Sequence, residues 1–144
     1  MRLKPQTYTV TISTHQQHRH FQRTANAELF VATLLRYRDA GKFLLHGFVV
    51  MHVHVLITPS ESTGKAIQLI KGGYSHAARQ QSIGEIWHTG YHEHRIRDLA
   101  DFQAQKQYIA NNPIRKGYSN YPHVHTTHSA PLDAPLHLIE QVCS

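Results

Sequence analysis

Hydrophobic and polar residues alternate at the start of the chain and then recur at helical spacing. Residues 6–14, QTYTVTIST, alternate and are rich in Thr, Tyr, Val and Ile, which predicts a β-strand. Residues 26–40, NAELFVATLLRYRDA, carry apolar side chains three and four positions apart, which predicts a helix. Asn26 is a candidate N-cap of this helix, and Gly41 is a candidate C′ residue.

Residues 43–58, FLLHGFVVMHVHVLIT, form the most apolar segment of the chain. Their many β-branched residues favour strand over helix. A single strand of this length would be too long for a domain of this size. The segment therefore predicts two strands, with a break near Met51 or at Gly47.

The second half of the chain predicts two more helices and a further strand. Residues 62–81 have helical spacing, and residues 85–96, EIWHTGYHEHRI, are typical of a strand or a hairpin. Residues 98–112 predict a helix that ends before Pro113, because a proline disfavours the α conformation of the residue that precedes it.

These elements predict one α+β domain over residues 1–122. The order β, α, β, β, α, β, α is typical of a sandwich in which a mostly antiparallel sheet is covered by helices on one face. Residues 123–144 lose the hydrophobic pattern, so we expect a loosely packed C-terminal tail.

Composition and charge suggest a polyanionic partner and a reducing compartment. Lys and Arg number 15 against 9 acidic residues, a net charge of +6, which favours nucleic acid, although a merely basic protein would also fit. The single cysteine excludes a disulfide framework within the chain. The chain has no apolar run of membrane-spanning or signal-peptide length, so we expect a soluble cytoplasmic protein without a membrane partner.

Histidine is unusually frequent, with 14 residues in the chain. Of four His-x-His pairs, only His52 and His54 lie within apolar strand sequence. Residues two apart in a strand point to the same side, so these imidazoles would project together as metal ligands or phosphate contacts. The alternative is a pair of core histidines whose rings are satisfied by backbone carbonyls.

A second candidate group lies in QKQYIANNPIRKG, residues 105–117. On a helix Tyr108 and Asn112 are one turn apart and share a face, so the tyrosine could be a nucleophile beside an amide oxygen that completes a metal site. Arg115 and Lys116 follow and could hold phosphate. The alternative is a core tyrosine near the end of a helix.

In order along the chain, these segments resemble one family. The segments are YTVTIST, LFVATLLRYRDAGKFLLHGFVVM, HVHVLITP, IQLIKGGYS, IWHTGYHEHRIRD and YIANNPIRKG. Together, from Thr7 to Pro122, they resemble the single-tyrosine HUH transposases, in particular the REP-associated tyrosine transposases. The ordered set is specific, whereas each segment alone is weak.

The resemblance implies a ferredoxin-like, or RRM-like, sandwich and a DNA transposase. His52, His54 and Asn112 would bind one divalent cation, Mg²⁺ or Mn²⁺, and Tyr108 would attack a phosphate of single-stranded DNA that carries hairpins. The product would be a 5′-phosphotyrosine link and a free 3′-hydroxyl. Members of the group often act as homodimers, and some relatives act as monomers. Candidate DNA contacts are Lys71, which matches a DNA-contacting lysine in the resemblance, and, from their charge and spacing, Arg95, Arg97, Arg115 and Lys116.

One departure from the family pattern keeps other functions open. The family usually has Met-Pro-x-His-x-His, whereas here Met51 is followed directly by His52. The shortened turn is compatible with an inactive or domesticated nucleic-acid-binding module of the same fold. A histidine-dependent nucleotide hydrolase is a third hypothesis, but Leu56 occupies the position of its third histidine.

Overall fold

A computed structural model describes residues 5–14, 17–50, 53–78, 86–115, 132–135 and 137–138. Within these ranges the chain forms four strands, three α-helices and a short 3₁₀-helix at Gln17–Gln22. The strands are β1 (Tyr8–Ile12), β2 (Phe43–Val49), β3 (Val53–Pro59) and β4 (His92–Arg95). The helices are α1 (Thr24–Asp39), α2 (Thr63–Ala78) and α3 (Leu99–Arg115).

The strands form one antiparallel sheet in the order β2-β3-β1-β4. The β1-α1-β2-β3-α2-β4 succession with this strand order confirms the predicted α+β, ferredoxin-like class. β3 and β1 are central, whereas β2 and β4 are edge strands. The polar strand β4 is exposed along its length, whereas the apolar strands β2 and β3 are largely buried.

Helices cover both faces of the sheet rather than one. Odd-numbered residues of β3, such as Val55, join a core with α1 and α2, as the alternation predicts. Leu56 points the other way and packs with Phe102 and Ile109 of α3 in a second, smaller core. The prediction that all helices lie on one face is therefore wrong for α3. This helix buries its apolar side chains against the second face of the sheet.

Two predicted helix boundaries are wrong. α1 begins at Thr24, and Asn26 lies in its first turn, where its amide donates a hydrogen bond to the His20 carbonyl instead of capping the helix. α3 continues through Pro113 to Arg115, because a proline in the last turn removes only one backbone hydrogen bond. Gly41 lies directly after the C-cap Ala40 at φ 78°, the left-handed conformation that favours glycine at C′.

The apolar segment 43–58 divides into two paired strands, as predicted. β2 ends at Val49 and β3 begins at Val53, so the break is near Met51, which lies outside the described residues together with His52. Gly47 is at a register shift within β2 rather than at the turn. The register beyond the shift pairs Val49 with His54.

The described part of the C-terminal tail is packed, in contrast to our expectation for residues 123–144. Asp133 accepts two hydrogen bonds from the guanidinium of Arg38, at 2.7 and 3.1 Å, and one from the Leu45 backbone at 2.9 Å. Leu138 is buried in the core beneath α3. These polar contacts and the buried Leu138 hold the described residues, 132–135 and 137–138, although their sequence has no periodic pattern. The division at residue 122 stays a prediction.

Candidate active site

His54 lies on the face of the sheet that α3 covers. Its neighbours in β3, Val53 and Val55, are buried on the opposite face, so the strand fixes the direction of the imidazole. His54 is half-buried and pairs in register with Thr11 of β1. The Thr11 hydroxyl is 3.0 Å from His54 Nδ1. This hydrogen bond orients the ring from behind.

Tyr108 approaches His54 from α3. Phe102 and Ile109 anchor the helix in the core, whereas Tyr108 is 41% exposed. The rings of Tyr108 and His54 meet edge to face, with centroids 5.8 Å apart and planes at 87°. The strand and the helix thus bring an imidazole and a phenol together at the surface, within a single chain.

The other predicted metal ligands cannot be placed. His52 lies outside the described residues, and the side chain of Asn112, one turn after Tyr108 in α3, is also outside them. Within the described ranges, no three His, Cys, Asp or Glu side chains are grouped so that they could hold a metal ion. The three-ligand site therefore stays a prediction.

Lys71 lies on α2, on the far side of the sheet from Tyr108. Its ammonium donates hydrogen bonds to the carbonyls of His88, at 3.0 Å, and Gly90, at 2.7 Å. Partial burial lowers the pKa of Lys71. The lysine thus holds the loop that leads into β4, and its predicted contact with DNA is untested.

Arg95 and Arg97 lie in different surroundings. Arg95 pairs with Tyr8 on the α1 and α2 side of the sheet, whereas Arg97 follows β4 and lies beside α3. The backbone N–H of Arg97 donates to Asp101 at 3.0 Å, and its guanidinium is 3.6 Å from the same carboxylate. The two arginines therefore do not form a continuous strip. Arg115 has no described side chain, and Lys116 is outside the described residues.

Asp101 joins β4 to the first turn of α3. His94 Nε2 lies 3.0 and 3.1 Å from its two carboxylate oxygens. Burial opposes ionisation of Asp101, but the hydrogen bonds from Arg97 and His94 outweigh burial, and the pKa of this carboxyl is lowered. The ion cluster fixes the start of the helix that carries Tyr108. Sequence reasoning missed it; the available signal was a His-x-His pair, His92 and His94, within the strand or hairpin predicted at residues 85–96.

A buried polar chain behind β2 was also missed. His46 is fully buried; its Nδ1 donates to the Asp133 carbonyl at 2.6 Å, and its Nε2 is 2.8 Å from the Thr58 hydroxyl. Thr58 in turn contacts Thr7 at 2.6 Å. Burial lowers the pKa of His46, so the neutral ring is favoured. A histidine in an otherwise apolar strand was the available signal, but its partner is 87 residues away.

Comparisons with known proteins support the fold. The structure is similar to that of a REP-associated tyrosine transposase bound to a REP hairpin, with a TM-score of 0.72 over 93% of this chain and 94% of that chain. The two sequences are 18% identical, so the likeness shows a shared fold.

One segment of the chain is similar in sequence to another protein. A stretch of 56 residues is 38% identical to an uncharacterized protein of Haemophilus influenzae, and it covers 38% of this chain. The match spans about a third of that protein, at 31% of its length. No family model matches the chain. Among the described residues, no helix is long and apolar enough to cross a membrane.

Proposed function

We propose that this protein is a DNA transposase that nicks and rejoins single-stranded DNA at hairpin-containing ends through Tyr108. The observation that carries the proposal is the approach of Tyr108 to His54, edge to face at 5.8 Å, at an exposed position. The fold shared with a transposase whose structure holds a REP hairpin supports the same class of substrate. The net charge of +6 supports a polyanionic partner.

The proposed chemistry requires a nucleophile, and Tyr108 would act as one. Its phenolic oxygen would form a bond to phosphorus while the bond from phosphorus to the 3′ oxygen breaks. The phenol loses its proton, and the departing oxygen gains one to give the free 3′-hydroxyl. The phosphotyrosine bond retains the energy of the broken link, so rejoining is the reverse reaction and needs no ATP.

A divalent cation, Mg²⁺ or Mn²⁺, is part of the proposal, with His52, His54 and Asn112 as ligands. The surroundings of His54 fit this role, because ligating histidines usually donate their second ring nitrogen to a neighbouring acceptor, and the Thr11 hydroxyl is such an acceptor. When bound, the cation would polarise the scissile phosphate and offset developing negative charge. Thr11 would hold the His54 ring, and α3 would hold Tyr108 beside it.

Oligomeric state affects how the site is built. We expect a homodimer, as is frequent among the transposases that the motifs resemble. In this fold His54 and Tyr108 approach each other within one chain. The proposed site therefore does not need a tyrosine from a second subunit, and a monomer would also be competent.

Covalent capture of DNA tests the proposal. Labelled single-stranded DNA with a stem–loop and randomised flanks is incubated with the protein and Mg²⁺ or Mn²⁺ and separated on denaturing gels. We expect label that migrates with the protein in the wild type and is lost in Tyr108→Phe. Tyr91→Phe is the matched control, because Tyr91 is similarly exposed, at 36%, but contacts Thr63 at the start of α2.

The outcomes separate the candidate functions. Adduct that persists in Tyr108→Phe would exclude this residue as the nucleophile. DNA binding without adduct under either metal would favour the non-catalytic binding module that the shortened turn before His52 left open.

A further inference from the structure

A row of polar residues crosses the sheet beside the candidate nucleophile. Thr11 of β1 pairs with His54 of β3 on one side and with His92 of β4 on the other. Residues directly opposite each other in a sheet lie on the same face. We propose that His92 is a further DNA-binding residue, which contacts a phosphate near the one that Tyr108 attacks. This inference rests on the proposed function.

The contacts of β4 show which way His92 faces. His94, two positions on, contacts Asp101 of α3, so even-numbered residues of β4 point to the α3 side. Glu93 points to the opposite side, where its carboxylate accepts a hydrogen bond from Thr63 of α2. His92 thus shares its face with His54 and Tyr108.

Within the described part of the chain, α3 packs mainly over β2 and β3 and leaves His92 uncovered. Phe102 and Ile109 of α3 pack with Leu56 and Val49, which belong to the central strand β3 and the edge strand β2. The helix thus runs from the Asp101 contact on β4 towards the opposite edge of the sheet. His92 is exposed. A surface is left on which a DNA strand could lie alongside Tyr108.

The spacing suits neighbouring positions on one DNA strand. His92 and His54 are two strands apart, which is about 10 Å, because adjacent strands are about 4.8 Å apart. An imidazole N–H can donate to a phosphate oxygen whether or not the ring is charged. The role of His94 differs, since Asp101 already engages its Nε2. Contacts of this kind fix the position of a strand without reading its sequence.

DNA binding by His92→Ala in a non-cleaving Tyr108→Phe background tests the inference. The probe is a fluorescent stem–loop oligonucleotide with single-stranded flanks, enriched from a pool by the wild-type protein. We expect His92→Ala to weaken binding about three- to tenfold. His76→Ala, which removes an exposed histidine from α2 on the other side of the sheet, should have no effect.

A second measurement identifies the group that His92 contacts. Single methylphosphonate substitutions remove the charge of one phosphate at a time. We expect one methylphosphonate near the cleavage point to weaken binding by the protein that retains His92. The same methylphosphonate should not weaken binding by the His92→Ala protein any further. If the effects of the methylphosphonate and of His92→Ala on the dissociation constant multiply at every phosphate tested, His92 contacts none of these phosphates and the inference is overturned.

The result is separable from that of the proposed function. If the wild type forms the Tyr108 adduct and His92→Ala binds DNA like His76→Ala, the inference fails and the proposed function stands. If His92→Ala weakens binding but no adduct forms under either metal, the His92 site stands and the nuclease fails. A protein that binds no DNA would overturn both.

Discussion

The two faces of the sheet differ in chemistry although the same strands form both. On the α1 and α2 side the strands bury apolar residues next to an aromatic cluster, with ring centroids 5.2 to 6.0 Å apart. The members of that cluster are Phe21, Phe30, Tyr74 and Trp87. On the α3 side the same strands present Thr11, His54, His92 and His94 among a few apolar residues.

The difference shows how a core can position a reactive surface. His54 is held between two buried valines of its own strand, so rotation of the strand would expose apolar residues on the other face. A rigid strand with one packed face gives the other face side chains of defined direction. Variants on the α3 face should therefore change mainly the rate of the proposed reaction, and variants on the α1 and α2 face should change mainly the stability.

The largest expected effect is on the α3 face. His54→Ala should reduce the Tyr108 adduct by on the order of a thousandfold, about 4 kcal/mol in the barrier, because a proposed ligand of the cation that would polarise the phosphate is lost. DNA binding should change little, and unfolding by urea should change by less than about 1 kcal/mol, since the ring is half-buried. Adduct formed at the wild-type rate would show that His54 takes no part in the reaction.

The next effect tests the opposite face, one residue further along β3. Val55 is fully buried between Val10 and Phe48 on the neighbouring strands. Val55→Ala should lower the free energy of unfolding by about 2–3 kcal/mol through lost burial and a residual cavity. At a temperature where the variant is folded, its adduct rate should stay within about twofold of wild type. Urea unfolding and gel assays on the same preparation measure both quantities. A rate loss as large as that of His54→Ala would mean that the two faces are not separable.

Sequence reasoning captured the apolar face more fully than the polar one. Alternation in β1 and β3 was visible because Val10, Val53 and Val55 are local signals of strand and burial. The break between β2 and β3 followed from length alone. The position of α3 on the second face was not predicted, because the pattern of a helix gives its apolar side but not the surface that it meets.

The polar contacts were not predicted from the sequence because the two partners of each contact are far apart along the chain. Thr11 and His54 are 43 residues apart, and Arg38 and Asp133 are 95 apart. Neither spacing carries a local periodicity. Tyr108 was selected from its helical spacing to Asn112 and from the family resemblance, and its approach to His54 is the tertiary contact on which the functional hypothesis depends.

A third variant tests whether the tail supports the edge of the sheet at β2. Asp133→Asn should lower the free energy of unfolding by about 2 kcal/mol at pH 7, because the carboxylate pairs with Arg38 and accepts from Leu45. Asp39→Asn is the control, since Asp39 also contacts Arg38 but its side chain is 63% exposed. If Asp133→Asn and Asp39→Asn lower the free energy of unfolding equally, the contact from the tail stabilises the fold no more than an exposed ion pair does.

The pH dependence of this variant has a definite sign. The hydrogen bond from Arg38 is the main cause of the lowered pKa of Asp133, and burial opposes it. A carboxyl whose pKa is lower in the folded state stabilises above its unfolded pKa of about 3.9, and this stabilisation is lost as pH falls through the folded pKa. The wild type should therefore lose its advantage over Asp133→Asn in acid. Burial also lowers the pKa of His46, which makes both proteins less stable in acid. The Asp133 carboxylate opposes that lowering, so the loss from His46 should be larger in Asp133→Asn, but it sets in below the unfolded histidine pKa of about 6.5, at higher pH than the titration of Asp133. Urea unfolding from pH 7 to pH 3 measures the difference, and an advantage that is constant with pH would contradict the assignment.

The smallest effect concerns the hydroxyl behind His54. Thr11→Val keeps the shape of the side chain but removes the oxygen that lies 3.0 Å from His54 Nδ1. The adduct rate should fall about tenfold, as is common when a group that orients a ligating histidine is lost, and stability should change by less than about 1 kcal/mol. Thr9→Val on the same face of β1 is the matched control, because Thr9 Oγ1 is buried without a hydrogen-bond partner in the described part of the chain. That variant should be neutral or slightly more stable and should react normally. Thr11→Ser should restore most of the rate; if it reacts as slowly as Thr11→Val, the methyl group rather than the hydroxyl matters, and the imidazole is oriented by packing alone.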